Sequence, residues 1–276
     1  MTVKIVTDST ADLPPEIVEE YGITVVPLYV LFGEDMYRDG VDISKDEFFK
    51  KLVEDPVHPS TTQPTPQDFV EIYKKLEPAP DGILSIHIAR LMSGTCNSAD
   101  QAVQLLEKED SIEVIDTQNV SMGLGMQVIA AAESARAGKS LQEIKNEINE
   151  SIPNTRLLAL FDTLKYLAKG GRIGKAKSMV GAVLNVKPLL VLKDGEFSPF
   201  GQVRSRTKGV DQLLDYVKQA SDIKDLSVIY STTPDDAQAL ADRMDFYKGN
   251  VKVVRLGAVV GVHGGPGVIG VSFREK

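Results

Sequence analysis

The sequence predicts an α/β protein: a mostly parallel sheet with helices on both faces in the first half, plus a second α/β unit built on a mixed sheet. Three observations carry this. Short apolar runs alternate with helical periodicity through residues 3–151, the pattern of β-α repeats that close a parallel sheet. Past Pro153 strand-like runs recur, and Lys193, Asp194, Gly195 and Glu196 form a hairpin turn, which puts an antiparallel pair into the second sheet. The chain has 276 residues, 42% hydrophobic and 25% charged, which suits two domains with sizeable cores. The division is placed at residue 152, giving units 1–152 and 153–276.

Residues 3–7 (VKIVT) read as a buried strand that ends in the polar turn Asp8, Ser9, Thr10. Pro15 suits the first turn of a helix running to Tyr21, because its missing N–H would be unsatisfied there anyway. Residues 23–31 form a second apolar run. A short helix is expected over 46–53 with Ser44 as its cap, and another over 67–76 behind Pro66. Residues 82–88 (GILSIHI) and 112–115 (IEVI) read as strands; 97–106, 125–136 and 141–151 read as helices. In the second unit, strands are expected at 157–161, 188–193, around 203, at 228–231 and at 251–256, with helices over 207–220 and 234–247.

Charge and composition narrow the function. The net charge is −8, a poor match to nucleic acid as a general partner. The lone Cys96 excludes an intrachain disulfide and a CxxC metal site, and three histidines, at 58, 87 and 263, leave little for a metal centre. No metal-ligand spacing is present. The N-terminus runs straight into a strand pattern without the marks of a signal peptide, and no run of about 18 apolar residues suggests membrane insertion; the expected location is the cytoplasm. Ten basic residues between Lys165 and Lys208 face only Asp194 and Glu196, so that segment is about +8 in an acidic chain. It reads either as a solvated face or as an anion site or docking surface.

The polar turns at 8–10, 91–95 and 116–119 follow predicted strands, where the loops of a parallel sheet gather and bind ligands. A fourth polar stretch, 60–65, precedes a helix. Each has an ordinary reading as helix capping. The functional reading is a carboxylate or phosphate receptor, with the hydroxyls of Ser93 and Thr95 flanking Gly94 at a helix start. Residues 261–267 place four glycines and Pro266 around His263, either a structural turn or a backbone-rich wall with His263 donating to an anion. His87, in an apolar strand, reads as a core histidine, and His58 as a solvated loop residue. Familiar nucleotide motifs fail. Residues 170–175 (GGRIGK) lack the spacing and the Ser or Thr of a phosphate loop, and 123–125 (GLG) lack a third glycine. Ser93 is not in a G-x-S-x-G elbow. A Ser93/His263 pair could imitate a hydrolase, but no orienting acid can be named, so no catalytic residue is assigned.

Seven stretches, taken in order, resemble the DegV family. They are residues 6–13 (VTDSTADL), 61–65 (TTQPT), 91–95 (LMSGT) with 97–99 (NSA), 116–117 (DT) with Ser121, Gly123 and Gly125, 169–173 (KGGRI), 203–206 (VRSR) and 263–267 (HGGPG). The resemblance covers essentially the whole chain. It implies a DegV-like fold of two α/β domains holding one long-chain fatty acid in a buried tunnel. The carboxylate would be presented to a separate ATP-using fatty acid kinase, and the acyl phosphate carried toward phospholipid synthesis. It implies a carrier, not an enzyme, with no cofactor beyond the bound acid. By position, Thr61 and Ser93 would hold the carboxylate with His263, supported by Thr62 and Gly94; either hydroxyl at 61 or 62 could face inward. Arg172 and Arg204 would lie at the tunnel mouth toward the phosphate or the kinase. Neutral hydroxyls suit a carboxylate that must be released again. Apolar candidates for the lining are Phe161, Leu164, Leu167, Ile173, Met179, Val180, Leu184 and Leu190. The competing readings are an acyl- or phosphoryl-transfer enzyme or hydrolase using Ser93 and His263, and a regulatory module that docks an acidic partner or nucleotide on the basic segment.

Overall fold

In the computed structural model, which describes residues 2–108, 110–179 and 186–276, the first half is organised by a parallel sheet. Its strands are β1 (Lys4–Asp8), β2 (Thr24–Val26), β6 (Ile83–His87) and β7 (Ile112–Asp116), in the order β2-β1-β6-β7. β1 and β6 are central and almost wholly buried, as strands covered on both faces are; their polar members Asp8, Ser85 and His87 are hydrogen-bonded to one another. Alternate side chains go to opposite faces. Val6 and Ile83 pack under α3 (Pro66–Lys75) and α4 (Thr95–Leu106). Ile5 and Leu84 pack under α5 (Met122–Arg136) and α6 (Leu141–Ser151).

The second sheet has six strands, β8 (Thr155–Leu160), β9 (Lys187–Lys193), β10 (Glu196–Val203), β11 (Ile223–Tyr230), β12 (Lys252–Arg255) and β13 (Ile269–Glu275), ordered β10-β9-β8-β13-β11-β12. It is mixed: β11 and β12 run parallel and the other neighbours antiparallel. The turn joining β9 to β10 carries Asp194 and Gly195 at positive φ, the backbone a two-residue hairpin demands. α8 (Arg206–Lys218) and α9 (Pro234–Asp242) cover its outer face. α5 is buried nearly all round, rich in Gly and Ala, and lies between the two sheets, touching β1 and β6 on one side and β8, β11 and β13 on the other. A helix without a polar face has nowhere else to go.

Several elements depart from the sequence reading. The apolar run 23–31 is two strands in different sheets: it breaks at Pro27, which has no N–H to donate, and Leu28 N donates to Ser9 Oγ at 3.1 Å. β3 (Tyr29–Phe32) then pairs with β4 (Asp35–Arg38) and β5 (Ser60–Thr62) in a small antiparallel sheet. The polar stretch 60–65 therefore begins as a strand; only Thr65 caps α3. The tail expected as a turn or wall contains a helix, α10 (Ala258–Gly264), and β13 follows it. The helix expected over 234–247 stops at Asp242. α2 (Lys45–Glu54) is capped by Ser44, which accepts from Glu47 N at 3.2 Å, as the sequence indicates. No described helix is long and apolar enough to cross a membrane.

Candidate functional site

The loops after β1, β6 and β7 meet at the carboxyl edge of the parallel sheet. Ala89 N donates to Asn119 O at 3.0 Å and Ser121 N to Thr10 O at 2.8 Å. Against this edge lies the inner face of the mixed sheet, and between them is a cavity. It has about 940 Å³ of atom-free space, its open mouth included. Leu28, Ile88, Met92 and Val120 come from the first half; Leu157, Phe161, Leu167 and Phe197 from the second.

The polar groups on its wall include Thr61, Thr62, Gln63, Ser93, Arg172 and His263. Thr61 on β5 and His263 on α10, two hundred residues apart in sequence, are joined by a 2.9 Å hydrogen bond between Oγ1 and Nε2. Burial first, then the positive charge of Arg172, pushes the His263 imidazole down to about 4, so it is neutral at pH 7 with one ring N–H. Its Nδ1 is buried with no partner among the described residues, and a proton stranded there would cost roughly 1–3 kcal/mol. The proton therefore belongs on Nε2, donating to Thr61 Oγ1, and the Thr61 O–H is free to donate into the cavity. Thr61 is half-buried and Thr62 exposed, so Thr61 carries the inward pairing.

Ser93 precedes α4. Its Oγ accepts from Thr95 N at 3.3 Å and shares a 2.8 Å hydrogen bond with Thr95 Oγ1. Gly94 is not on the cavity wall. A Cβ there would fall 2.6 Å from Gln63 Cδ, so glycine lets the Gln63 carboxamide lie across the start of α4, where its Nε2 donates to Ser98 Oγ at 3.0 Å. Arg172 follows α7 (Lys165–Lys169) and is exposed at the mouth. Its Nε donates to Met92 O at 3.0 Å and its Nη1 to Gly170 O at 2.7 Å, which leaves guanidinium N–H groups for an anion. Arg204 is exposed and is not among the lining residues.

The glycine-rich motifs fit one another. A Cβ at Gly170 would meet His263 Nδ1, and one at Gly265, whose φ is +79°, would meet the Tyr166 ring. The close approach of α7 to α10 thus depends on glycine in both stretches. His58 is not a solvated loop residue: its ring lies 5.7 Å from that of Tyr166, and burial, with Lys169 and Lys165 nearby, pushes its imidazole down. His87 is fully buried, with Nδ1 2.9 Å from Asp8 Oδ2 and Nε2 2.7 Å from Ser85 Oγ. Cys96 is buried and its thiol is pushed up by burial, which makes it unreactive.

The Ser93–His263 contact that a hydrolase needs is not among the hydrogen bonds of the described residues: His263 is paired with Thr61 and Ser93 with Thr95. Of the expected apolar lining, Phe161 and Leu167 reach the cavity. Leu164, Ile173 and Leu190 are buried in the adjoining core, with Met179 packed against it. Val180 and Leu184 lie outside the described residues. Sequence reasoning missed Leu256, Val259 and Val260, which line the cavity from α10 and its approach; the apolar residues 256–262 just before His263 were the available signal. No group of three or more His, Cys, Asp or Glu suited to a metal occurs among the described residues.

Comparison with known proteins gives one consistent match. The family model described as "uncharacterised protein, DegV family" matches residues 2–276. A DegV domain-containing protein from Deinococcus radiodurans is 39% identical over 279 residues, covering 99% of each chain. Among solved structures, a DegV family protein from Thermus thermophilus, reported for its fatty acid binding, superposes with a TM-score of 0.93 at 36% identity over 100% of both chains. A fatty acid (stearic acid)-binding protein from Eubacterium ventriosum gives a TM-score of 0.92 at 29% identity, covering 99% of this chain and 98% of that one.

Proposed function

The chain belongs to the DegV family, and from that and the geometry of its cavity we propose that it holds one long-chain fatty acid between its two units, divided at residue 152. The observation that carries this is a mostly apolar cavity with hydroxyls, a neutral histidine and one arginine on its wall. The hydrocarbon supplies the affinity, about 0.8 kcal/mol per buried CH₂. The polar end supplies orientation: Thr61 and Ser93 donate to the carboxylate, His263 holds Thr61 in its donating orientation, and Arg172 adds a screened positive charge at the mouth. With no buried charge opposite it, the carboxylate is not locked into a desolvated ion pair and remains available for chemistry.

That chemistry falls to a separate kinase. A carboxylate oxygen attacks the γ-phosphorus of ATP, ADP leaves, and the acyl phosphate stays with this chain for delivery. Arg172 and the surrounding basic residues would balance the added phosphate charge. The protein itself acts as a carrier in the cytoplasm: the pairing of His263 with Thr61 leaves Ser93 without a general base.

Mass spectrometry of the denatured, purified protein tests the binding claim, with titration of palmitate or stearate into delipidated protein. A stoichiometric long-chain acid, or saturable one-to-one binding, is expected. No released acid together with no binding on addition overturns it. The carrier role is tested with a fatty acid kinase and ATP by trapping acyl phosphate as hydroxamate. Product should require the kinase, and Arg172→Glu should lower its yield by more than its loss of acid affinity accounts for.

A further inference from the structure

We propose that Thr95, which stands behind the cavity wall, is a positioning residue for the polar end: its hydroxyl donates to Ser93 and fixes Ser93 as a proton donor toward the ligand. That end then selects an ionised carboxylate over a neutral head group that brings a proton of its own. This rests on the reading that the cavity holds an acyl chain.

Ser93 lines the cavity and Thr95 does not; Ser93 is half-buried and Thr95 is 0% exposed. Their hydroxyl oxygens lie 2.8 Å apart, so one proton sits between them. Its owner follows from what surrounds each group. If Ser93 donated, the Thr95 proton would be stranded in the interior, since Thr95 Oγ1 has no hydrogen-bond partner but Ser93 among the described residues. A buried donor without an acceptor is costly, whereas the opposite choice leaves the Ser93 proton facing an open cavity. Thr95 therefore donates. Ser93 Oγ also accepts from Thr95 N at 3.3 Å. A hydroxyl oxygen has two acceptor positions, and Thr95 fills both. What Ser93 has left to offer is its proton.

The backbone keeps this arrangement in register. Ser93 N donates to Ala89 O at 3.1 Å, and Ser98 N donates to Gly94 O at 3.0 Å, which fixes the loop before Gly94 and the first turn of α4 after it. Gly94 itself lies against the Gln63 carboxamide, so the segment from Ser93 to Thr95 is closed in from outside. The other side of the site repeats the principle with different residues: neutral His263 donates from Nε2 to Thr61 Oγ1. A donor thus stands behind each of the two wall hydroxyls, and Arg172 at the mouth is a donor only. A carboxylate, which only accepts, takes protons from Thr61 and Ser93 together. A fatty alcohol has a proton of its own to place and finds Ser93 Oγ already filled.

The test titrates palmitate and 1-hexadecanol into delipidated wild-type protein, Thr95→Val, Thr95→Ser, Ser93→Ala and the double variant Ser93→Ala/Thr95→Val. Wild type should bind palmitate at least tenfold more tightly than hexadecanol. Thr95→Val keeps the side-chain shape and loses the hydroxyl. It should weaken palmitate about fivefold or more and weaken hexadecanol less than twofold, while Thr95→Ser stays within twofold of wild type for both. In the Ser93→Ala background Thr95→Val should cost palmitate less than a further twofold, because Thr95 acts through Ser93. Equal affinity of wild type for the two ligands, equal weakening of both by Thr95→Val, undiminished palmitate affinity in that variant, or the same loss in the Ser93→Ala background overturns the proposal and leaves the cavity reading standing. Should Thr95→Val not fold, Thr95→Ala takes its place; failure of both makes Thr95 a structural residue and overturns the proposal too. If wild type binds neither palmitate nor hexadecanol, the cavity reading falls with it.

Discussion

Replacing Gly170 by alanine should disarm His263 without touching the ligand. A Cβ at 170 would lie against His263 Nδ1 and 2.7 Å from Cε1, inside the 3.0 Å that real Cβ atoms keep. The ring is held at 2.9 Å from Thr61 Oγ1 on its other side, so it cannot back away. Either α7 and α10 separate or the imidazole leaves its rotamer, and both break the Thr61–His263 bond. Losing an oriented donor to a charged acceptor costs about 1.5–3 kcal/mol, or roughly ten- to more than a hundredfold in fatty acid affinity. Overpacking should also cost about 1–3 kcal/mol of stability. Gly171→Ala is the internal control. Its φ is +70° with nothing within 4 Å of an added Cβ, so it carries backbone strain of about 1–2 kcal/mol and no steric message to His263. Palmitate titration and thermal melts on both variants separate the effects: both should melt lower, and only Gly170→Ala should lose affinity. Undiminished affinity in Gly170→Ala, or equal losses in both, would refute the claim that His263 orients Thr61.

Two further outcomes are expected. Ser93→Ala should weaken palmitate binding by about 1–3 kcal/mol, read by the same titration; unchanged affinity would mean Ser93 only supports the start of α4. Asp12→Asn should alter the pH dependence of stability. Burial raises the Asp12 carboxyl from 3.8 to about 7, so its contribution is fully present below pH 3.8 and is lost as pH rises through about 7. Melts at pH 5 and pH 8 should therefore show Asn gaining on wild type between the two by roughly 2–3 kcal/mol, the earlier part of the loss having already occurred between pH 3.8 and 5. Parallel profiles would count against a buried, raised carboxyl at 12.

What the sequence made legible was local. Apolar-rich runs at 82–88 and 112–115 announced β6 and β7, Ser44 announced α2, and Asp194 with Gly195 announced the hairpin, because periodicity and turn chemistry act over a few residues. β5 was hidden because Ser60, Thr61 and Thr62 are strand residues only by virtue of pairing with β3. α10 was hidden because its Gly and Val content is poor for an isolated helix and only tertiary packing holds it. Thr61 and His263 were each identifiable as candidates. Their 2.9 Å bond was not, since it depends on how two distant segments dock.

That docking explains why the site is a shared property of both halves. α10 follows β12 in sequence, yet it packs on α2, β3 and β5 of the first half. Its leading N–H groups are taken by first-half carboxylates: Asp12 accepts from Gly257, and Asp39 from Ala258 at 2.9 Å and Val259 at 3.4 Å. Lys45 donates to Arg255 O at 2.6 Å, and Arg255 pairs with Asp46. Four early N–H groups of any helix need partners outside it, and here most of them come from across the molecule. The wall that carries His263 is therefore anchored by the half that carries Thr61 and Ser93. A cut at residue 152 that left both sheets folded would still strip α10 of its caps. The polar end of the cavity would lose its geometry before either core lost its strands.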